Sequence, residues 1–208
     1  MKKVLCFDVG YTLVNEDIAW RQRCEEQAKT EEARRLGLSA EDIFHEIEKA
    51  SAAKLPQYRA VAEKFQFQEV VPYRPETEFL YDGVLETLQT LSEKYSLVVI
   101  ANQSVRLFDR LHAFGIFPLF TEIVASAAVG LQKPDPRIFA YALDLVNCEP
   151  ADAVMIGDRL DNDIEPAKAL GMETVWIRQG FGRCQTPSTE ADTPDHTIDS
   201  VPELLNFY

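Results

Sequence analysis

Asp8 closes the apolar run Val4 to Phe7, and Val9-Gly10-Tyr11-Thr12-Leu13 follow it. A carboxylate directly after a buried strand stands at the carboxyl edge, where open α/β sheets bind their ligands. Taken alone, such an Asp is as well explained by capping a turn. The placement recurs at Ile156-Gly157-Asp158-Arg159-Leu160-Asp161-Asn162-Asp163, a dense acidic group after a second apolar run. Clustered acids repel one another and call for a compensating cation, and hard oxygen ligands of this kind suit Mg²⁺. A favourable helix dipole accounts for Asp161 and Asp163 without a metal, but less well for an Asp that follows a Gly at a strand end. Gly130-Leu131-Gln132-Lys133-Pro134-Asp135-Pro136 holds a lysine in a stiff loop before a helix, where an ammonium can face an anion or the carboxylates. Asn102, Gln103 and Ser104 offer uncharged donors after another apolar run.

These groups need a scaffold that brings strand ends together. Apolar runs at Val4 to Phe7, Leu97 to Ile100, Ile123 to Ala125, Ala153 to Ile156 and Thr174 to Ile177 alternate with helix-like segments at 82–95, 105–114, 136–146 and 162–170. That alternation predicts βαβ units and a parallel sheet. Pro136 suits a first helical turn, and Gly115 and Gly171 suit helix ends. A short strand at Thr197-Ile198 and a terminal helix complete the pattern, after an exposed loop from Gln185 to His196. From about 16 to 80 no strand-like run occurs, only helical ones around Ile18 to Leu36, Ala40 to Ala53 and Pro56 to Phe65. The expected architecture is an α/β, Rossmann-like three-layer core, residues 1–14 and 81–208, with an all-helical cap inserted over 15–80.

In order along the chain, D-x-G-x-T, A-N-Q-S, G-x-x-K-P-D-P and G-D-x-x-x-N-D resemble the four motifs of the haloacid dehalogenase-like hydrolases, and the insertion resembles their helical cap. The resemblance implies that Asp8 attacks phosphorus to form an aspartyl-phosphate that water then hydrolyses. It implies Mg²⁺ held by Asp8, Asp158 and the backbone carbonyl of Gly10, with Asp163 behind them. Lys133 then neutralises the reacting groups, and Thr12, Asn102 and Gln103 become substrate contacts.

Two positions depart from the pattern. Phosphatases of the family carry an Asp where Gly10 stands, to protonate the leaving group and later activate water. Ala101 replaces a hydroxyl residue that hydrogen-bonds the phosphoryl group. Losing acid–base assistance costs ~10²–10⁴ in rate, so Tyr11 or Glu16 become candidates to supply the proton, and restoring Asp at position 10 is expected to raise turnover. The main expectation is a Mg²⁺-dependent phosphatase of a small phosphorylated metabolite, weak or specialised. A silent metal-, anion- or partner-binding relative is the alternative. A dehalogenase is third, since that branch usually carries Tyr-Gly where this chain has Gly-Tyr.

Composition narrows the partners. A formal net charge of −13 argues against a nucleic-acid backbone as ligand. The four cysteines, at 6, 24, 148 and 184, lack C-x-x-C spacing and read as reduced thiols. The first apolar run is too short for a signal peptide or a membrane span, so no membrane association and a cytoplasmic location are expected. His45, His112 and His196 are scattered, and Gly180-Phe181-Gly182 reads as a flexible loop rather than a dinucleotide fingerprint.

Overall fold

The computed structural model describes residues 3–208. β1 (Val4–Phe7) runs into a tight turn in which the Val9 carbonyl accepts from the backbone N–H groups of Thr12, Leu13 and Val14. Tyr11 takes the left-handed conformation there, with φ 54°. The chain leaves this turn as β2 (Val14–Asn15), which pairs antiparallel with β3 (Phe79–Leu80). This pair, which the residue pattern did not announce, brings the two ends of the helical insertion side by side.

Between them lie α1 (Asp17–Ala28), α2 (Glu31–Arg35), α3 (Ala40–Ala52) and α4 (Gln57–Phe65). The expected run from Ile18 to Leu36 divides at Thr30, whose Oγ1 accepts from the N–H of Ala33 and starts α2. α3 begins with a reciprocal Ser39–Asp42 capping box. The insertion has an apolar cluster of its own, with Ile43, Ile47, Tyr58 and Val61 buried among Tyr11 and Phe181 from the rest of the chain.

The remaining elements are α5 (Val84–Ser92), β4 (Ser96–Ala101), α6 (Leu107–Ala113), β5 (Glu122–Ala125), α7 (Ser126–Val129), α8 (Pro136–Leu145), β6 (Ala153–Gly157), α9 (Glu165–Ala169), β7 (Glu173–Ile177) and β8 (His196–Ile198). β1 and β4 to β8 form one parallel sheet in the order β5-β4-β1-β6-β7-β8. Strand alternation sorts its two faces. Leu5, Phe7, Leu97, Val99, Val154 and Ile156 pack on one side with Leu88 and Leu111. Val4, Cys6, Val98, Ile100 and Met155 pack on the other with Ile138, Phe139 and Ala167. Helices thus cover both faces, a three-layer α/β core of the Rossmann-like kind.

The chain lays β4 and β5 on one side of β1, then returns to lay β6, β7 and β8 on the other. The crevice where such a reversal occurs is the natural ligand site of an open α/β sheet. Some elements differ from expectation. The helix expected from Asn162 opens with a π-turn over Leu160–Ile164 before α9, and the terminal helix is a 3-10 stretch, Val201–Asn206. Among the described residues no helix is long and apolar enough to cross a membrane.

Candidate active site

β1, β4 and β6 end beside one another, and the loops that follow them carry Asp8, Asn102 and Asp158. The Lys133 loop, between α7 and α8, closes over the same edge. The Lys133 Nζ donates to Asp8 Oδ1 at 2.6 Å and to Asp163 Oδ1 at 2.5 Å. Although burial works against its charge, Asp163 and Asp8 hold the ammonium protonated, with its pKa above the usual lysine range. One oxygen from each of Asp8, Asp158 and Asp163 lies within 4.8 Å of the others. Burial raises the Asp158 pKa well above the ordinary range, and the Asp163 and Asp8 charges add to it. Asp163, pushed to about 6 chiefly by burial, is moderated by Lys133. A single ammonium among three carboxylates leaves an excess of negative charge under low solvent exposure. A divalent cation fits that donor set.

Close backbone approach explains the glycines of this edge. A Cβ on Gly157 would lie 2.4 Å from the Asp163 carboxyl carbon, so glycine here admits that side chain under Lys133. The Gly180-Phe181-Gly182 segment, expected to be flexible, is instead wedged in place. A Cβ on Gly180 would meet the Tyr11 ring at 1.9 Å, and one on Gly182 the Asp158 carbonyl oxygen at 2.0 Å. Phe181 is buried against Tyr11, Trp20 and Phe44. Apolar packing from the insertion, invisible in a local reading, fixes this loop.

The expected substrate contacts separate. Asn102 donates from Nδ2 to the Lys133 carbonyl at 2.8 Å, and its Oδ1 accepts from the Lys133 N–H at 2.7 Å. Its amide therefore grips the lysine loop, a positioning arrangement rather than a free hand for a ligand. Gln103 lines the cleft, with Oε1 accepting from Arg110 Nη1 at 2.8 Å. Thr12 is fully buried and does not line the cleft, because the turn onto the Val9 carbonyl carries its side chain inward. Ala101, also fully buried, belongs to the apolar cluster of the sheet.

Gly10 shows what fills the missing side chain's place. A Cβ built there would lie 2.6 Å from Glu16 Oε1 and 3.2 Å from Oε2. Glu16 is 7% exposed, and its Oε2 accepts from Trp20 Nε1 at 3.0 Å. Burial first, then the neighbouring Glu78, pushes its carboxyl up to about 8. Glu78 itself is engaged by the Tyr73 hydroxyl and by Arg110. The Tyr11 phenol is raised far above its usual range, mainly by burial.

The fold brings further residues to this cleft. Arg159 faces the cleft while its guanidinium pairs with Asp161. Gln57 of α4 and Asn162 also line it. Gln185 accepts from the Leu160 N–H at 2.6 Å and donates to Asp161 Oδ1 at 2.7 Å and to the Ser51 carbonyl at 3.2 Å. It thereby ties α3 to the acidic loop. The expected exposed loop from Gln185 to His196 accordingly has buried members, Gln185 and Asp192. Asp192 is pinned by Lys54 and by the N–H groups of Ser188 and Thr189. Of these, Arg159 and Asn162 had a local signal, their place inside the acidic motif; Gln57 and Gln185 meet the site from distant parts of the chain.

The cleft encloses about 140 Å³. A larger hollow of about 370 Å³ beside α1, lined by Gln22, Arg23 and Arg74, gathers none of the strand-end groups. A parallel sheet with an aspartate at its switch point, a lysine against it and a carboxylate cluster beside it defines a Rossmann-like α/β core with an acidic site at its carboxyl edge. Comparison with known proteins agrees: residues 6–177 match the family model described as haloacid dehalogenase-like hydrolase, and the chain belongs to that family. It is 33% identical to the glyceraldehyde 3-phosphate phosphatase of Methanopyrus kandleri, over 99% of this chain and 97% of that one. Identity to the phosphoglycolate phosphatase of Haemophilus influenzae is 37%, over 62% of this chain and 57% of that relative. Among solved structures, a HAD phosphatase from Thermococcus onnurineus superposes with TM-score 0.67 at 25% identity, covering 99% and 97% of the two chains. A 2-haloacid dehalogenase from Pseudomonas syringae shares the fold, with TM-score 0.64 at 22% identity over 99% and 97%. The full-length relative is a phosphatase, and this chain is a hydrolase of that class.

Proposed function

We propose that this protein is a Mg²⁺-dependent phosphatase of a small phosphorylated metabolite, working through an aspartyl-phosphate on Asp8. The observation that carries the reading is Lys133 bridging Asp8 and Asp163 beside Asp158 at the sheet's switch point. Asp8, Asp158 and the Gly10 carbonyl would hold the cation, which when bound offsets the carboxylates and polarises a phosphoryl oxygen. Asp8 supplies the attacking oxygen. Lys133 holds that carboxylate in place, and its charge also lowers the cost of bringing a phosphate dianion against it. Asp163 locks the lysine in this direction. Asn102 fixes the lysine loop, and Gln103 and Arg159 face the space that the rest of the substrate occupies.

The small cleft, the inserted helices that wall it and the names of the full-length and partial relatives all favour a substrate of a few carbons. We take the helices of 15–80 as a cap that shields the reaction from bulk water. The test is phosphate release from a panel of small phosphomonoesters with and without Mg²⁺. Release should require the cation and should vanish in Asp8→Asn. Turnover that survives Asp8→Asn, or that ignores chelation, would sink the reading.

A further inference from the structure

We infer that Glu16 is the proton-transfer residue of the reaction, replacing from the start of α1 the carboxyl side chain that position 10 lacks. The inference rests on the phosphatase reading above and concerns a residue which the four motifs do not contain.

The geometry carries it. Gly10 is the second residue after Asp8, and a side chain there would begin within van der Waals contact of the Glu16 carboxyl, 2.6 Å from Oε1. The space that a carboxyl at position 10 would enter is therefore already filled by a carboxyl. The turn after β1 brings the start of β2 beside Gly10, as the Gly10–Val14 bridge and the Tyr11 N–H bond to the Val14 carbonyl show, and residue 16 follows it at the cleft. Glu16 occupies the N-cap position of α1, yet its side chain makes no capping bond to the helix. It turns instead to the site, where Trp20 Nε1 holds Oε2 and leaves Oε1 toward Gly10. Glu16 lines the same cleft as Asp8 and Lys133. The other nearby carboxylate, Glu78, has both oxygens committed to Tyr73 and Arg110.

In the first step a bond forms between an Asp8 carboxylate oxygen and phosphorus as the phosphorus–alkoxide bond breaks. The Glu16 carboxyl gives its proton to the departing oxygen and becomes a carboxylate. In the second step that carboxylate takes a proton from the water that attacks phosphorus, and the Asp8–phosphorus bond breaks. Inorganic phosphate leaves, with Asp8 ionised and Glu16 protonated again. Neither step needs an oxidant or a further co-reactant.

Glu16→Gln tests this on two probes, glycerol 3-phosphate and p-nitrophenyl phosphate, with Mg²⁺ present. A poor alkoxide leaving group needs the proton and a nitrophenolate does not. Turnover of glycerol 3-phosphate should fall ~10²–10⁴-fold, the range for lost acid–base assistance. With p-nitrophenyl phosphate the first step should survive, so that one equivalent of nitrophenolate appears as a burst before slow phosphate release. Wild type should show no burst. An equal loss on both probes without a burst, or no loss at all, overturns the assignment. Wild type that releases no nitrophenolate overturns the phosphatase reading and this inference with it. Should Glu16→Gln fail to fold, Glu16→Ser and Gly10→Asp/Glu16→Ser give the same answer. Moving the carboxyl to position 10 should restore glycerol 3-phosphate turnover at least tenfold over Glu16→Ser, and no gain overturns the proposal.

Discussion

Restoring an aspartate at position 10 by itself should damage this protein rather than improve it. The backbone is no obstacle, since Gly10 is absent from the positive-φ residues. The obstacle is Glu16: the new Cβ would lie 2.6 Å from Oε1, and Trp20 and burial restrain that carboxyl from moving aside. Overpacking a close-fitted site costs about 1–3 kcal/mol. Two carboxylates about 4 Å apart repel by about 4 kcal/mol at an effective dielectric near 20, which retention of one proton reduces. Together these suggest a loss of about 2–4 kcal/mol, or about 4–16 °C in melting temperature for a domain of this size. Removing Glu16 first should make room, so that in a Glu16→Ala background the same substitution costs less than about 1 kcal/mol. A double-mutant cycle by urea unfolding at pH 7, in chelator, measures the coupling, expected at about 1–4 kcal/mol. If the two substitutions add within about 0.5 kcal/mol, Glu16 does not occupy the place of the missing side chain.

Two further outcomes follow from the charges. Without cation, the raised Asp163 pKa means the folded protein binds a proton that the unfolded chain does not. Stability should therefore decline as pH rises from about 3.8 toward 6 and stay reduced above that. Mg²⁺ at about a hundred times its dissociation constant should return ~2.7 kcal/mol, about 5–11 °C, at pH 8 and clearly less at pH 5; equal shifts at both pH values would contradict a carboxylate site. Asp192 has the opposite sign: burial pushes its pKa up, but Lys54 and the Ser188 and Thr189 bonds hold it below the usual range. Its stabilisation should be complete above the unfolded value near 3.8 and fade as pH falls below it, so Asp192→Asn should lower the melting temperature at pH 7 and lower it clearly less at pH 2.

The sheet and its flanking helices were legible from the residues alone, because each strand needs only a short apolar run and each helix only a repeating apolar face. The aspartates and the lysine were legible for a related reason: Asp8, Asp158 and Lys133 each follow an element whose end the local pattern marks. Where these ends met was a matter of topology, and only the fold put Lys133 between Asp8 and Asp163. The helical insertion was visible as a break in the alternation, but β2 and β3 were too short to show a period.

The features that no local pattern carries lie at contacts between segments far apart in the chain. Asn102 carries the same amide whether it grips a ligand or the Lys133 backbone, and only the approach of two loops chooses the second. The Gly180–Gly182 segment is glycine-rich, which in isolation means freedom; packed under Tyr11 and beside Asp158, the same missing side chains mean close fit. Gly10 is the sharpest case. Composition shows a side chain absent, and only three-dimensional proximity shows another residue's carboxyl standing in its space, because backbone turns, not spacing along the chain, set which atoms share a volume.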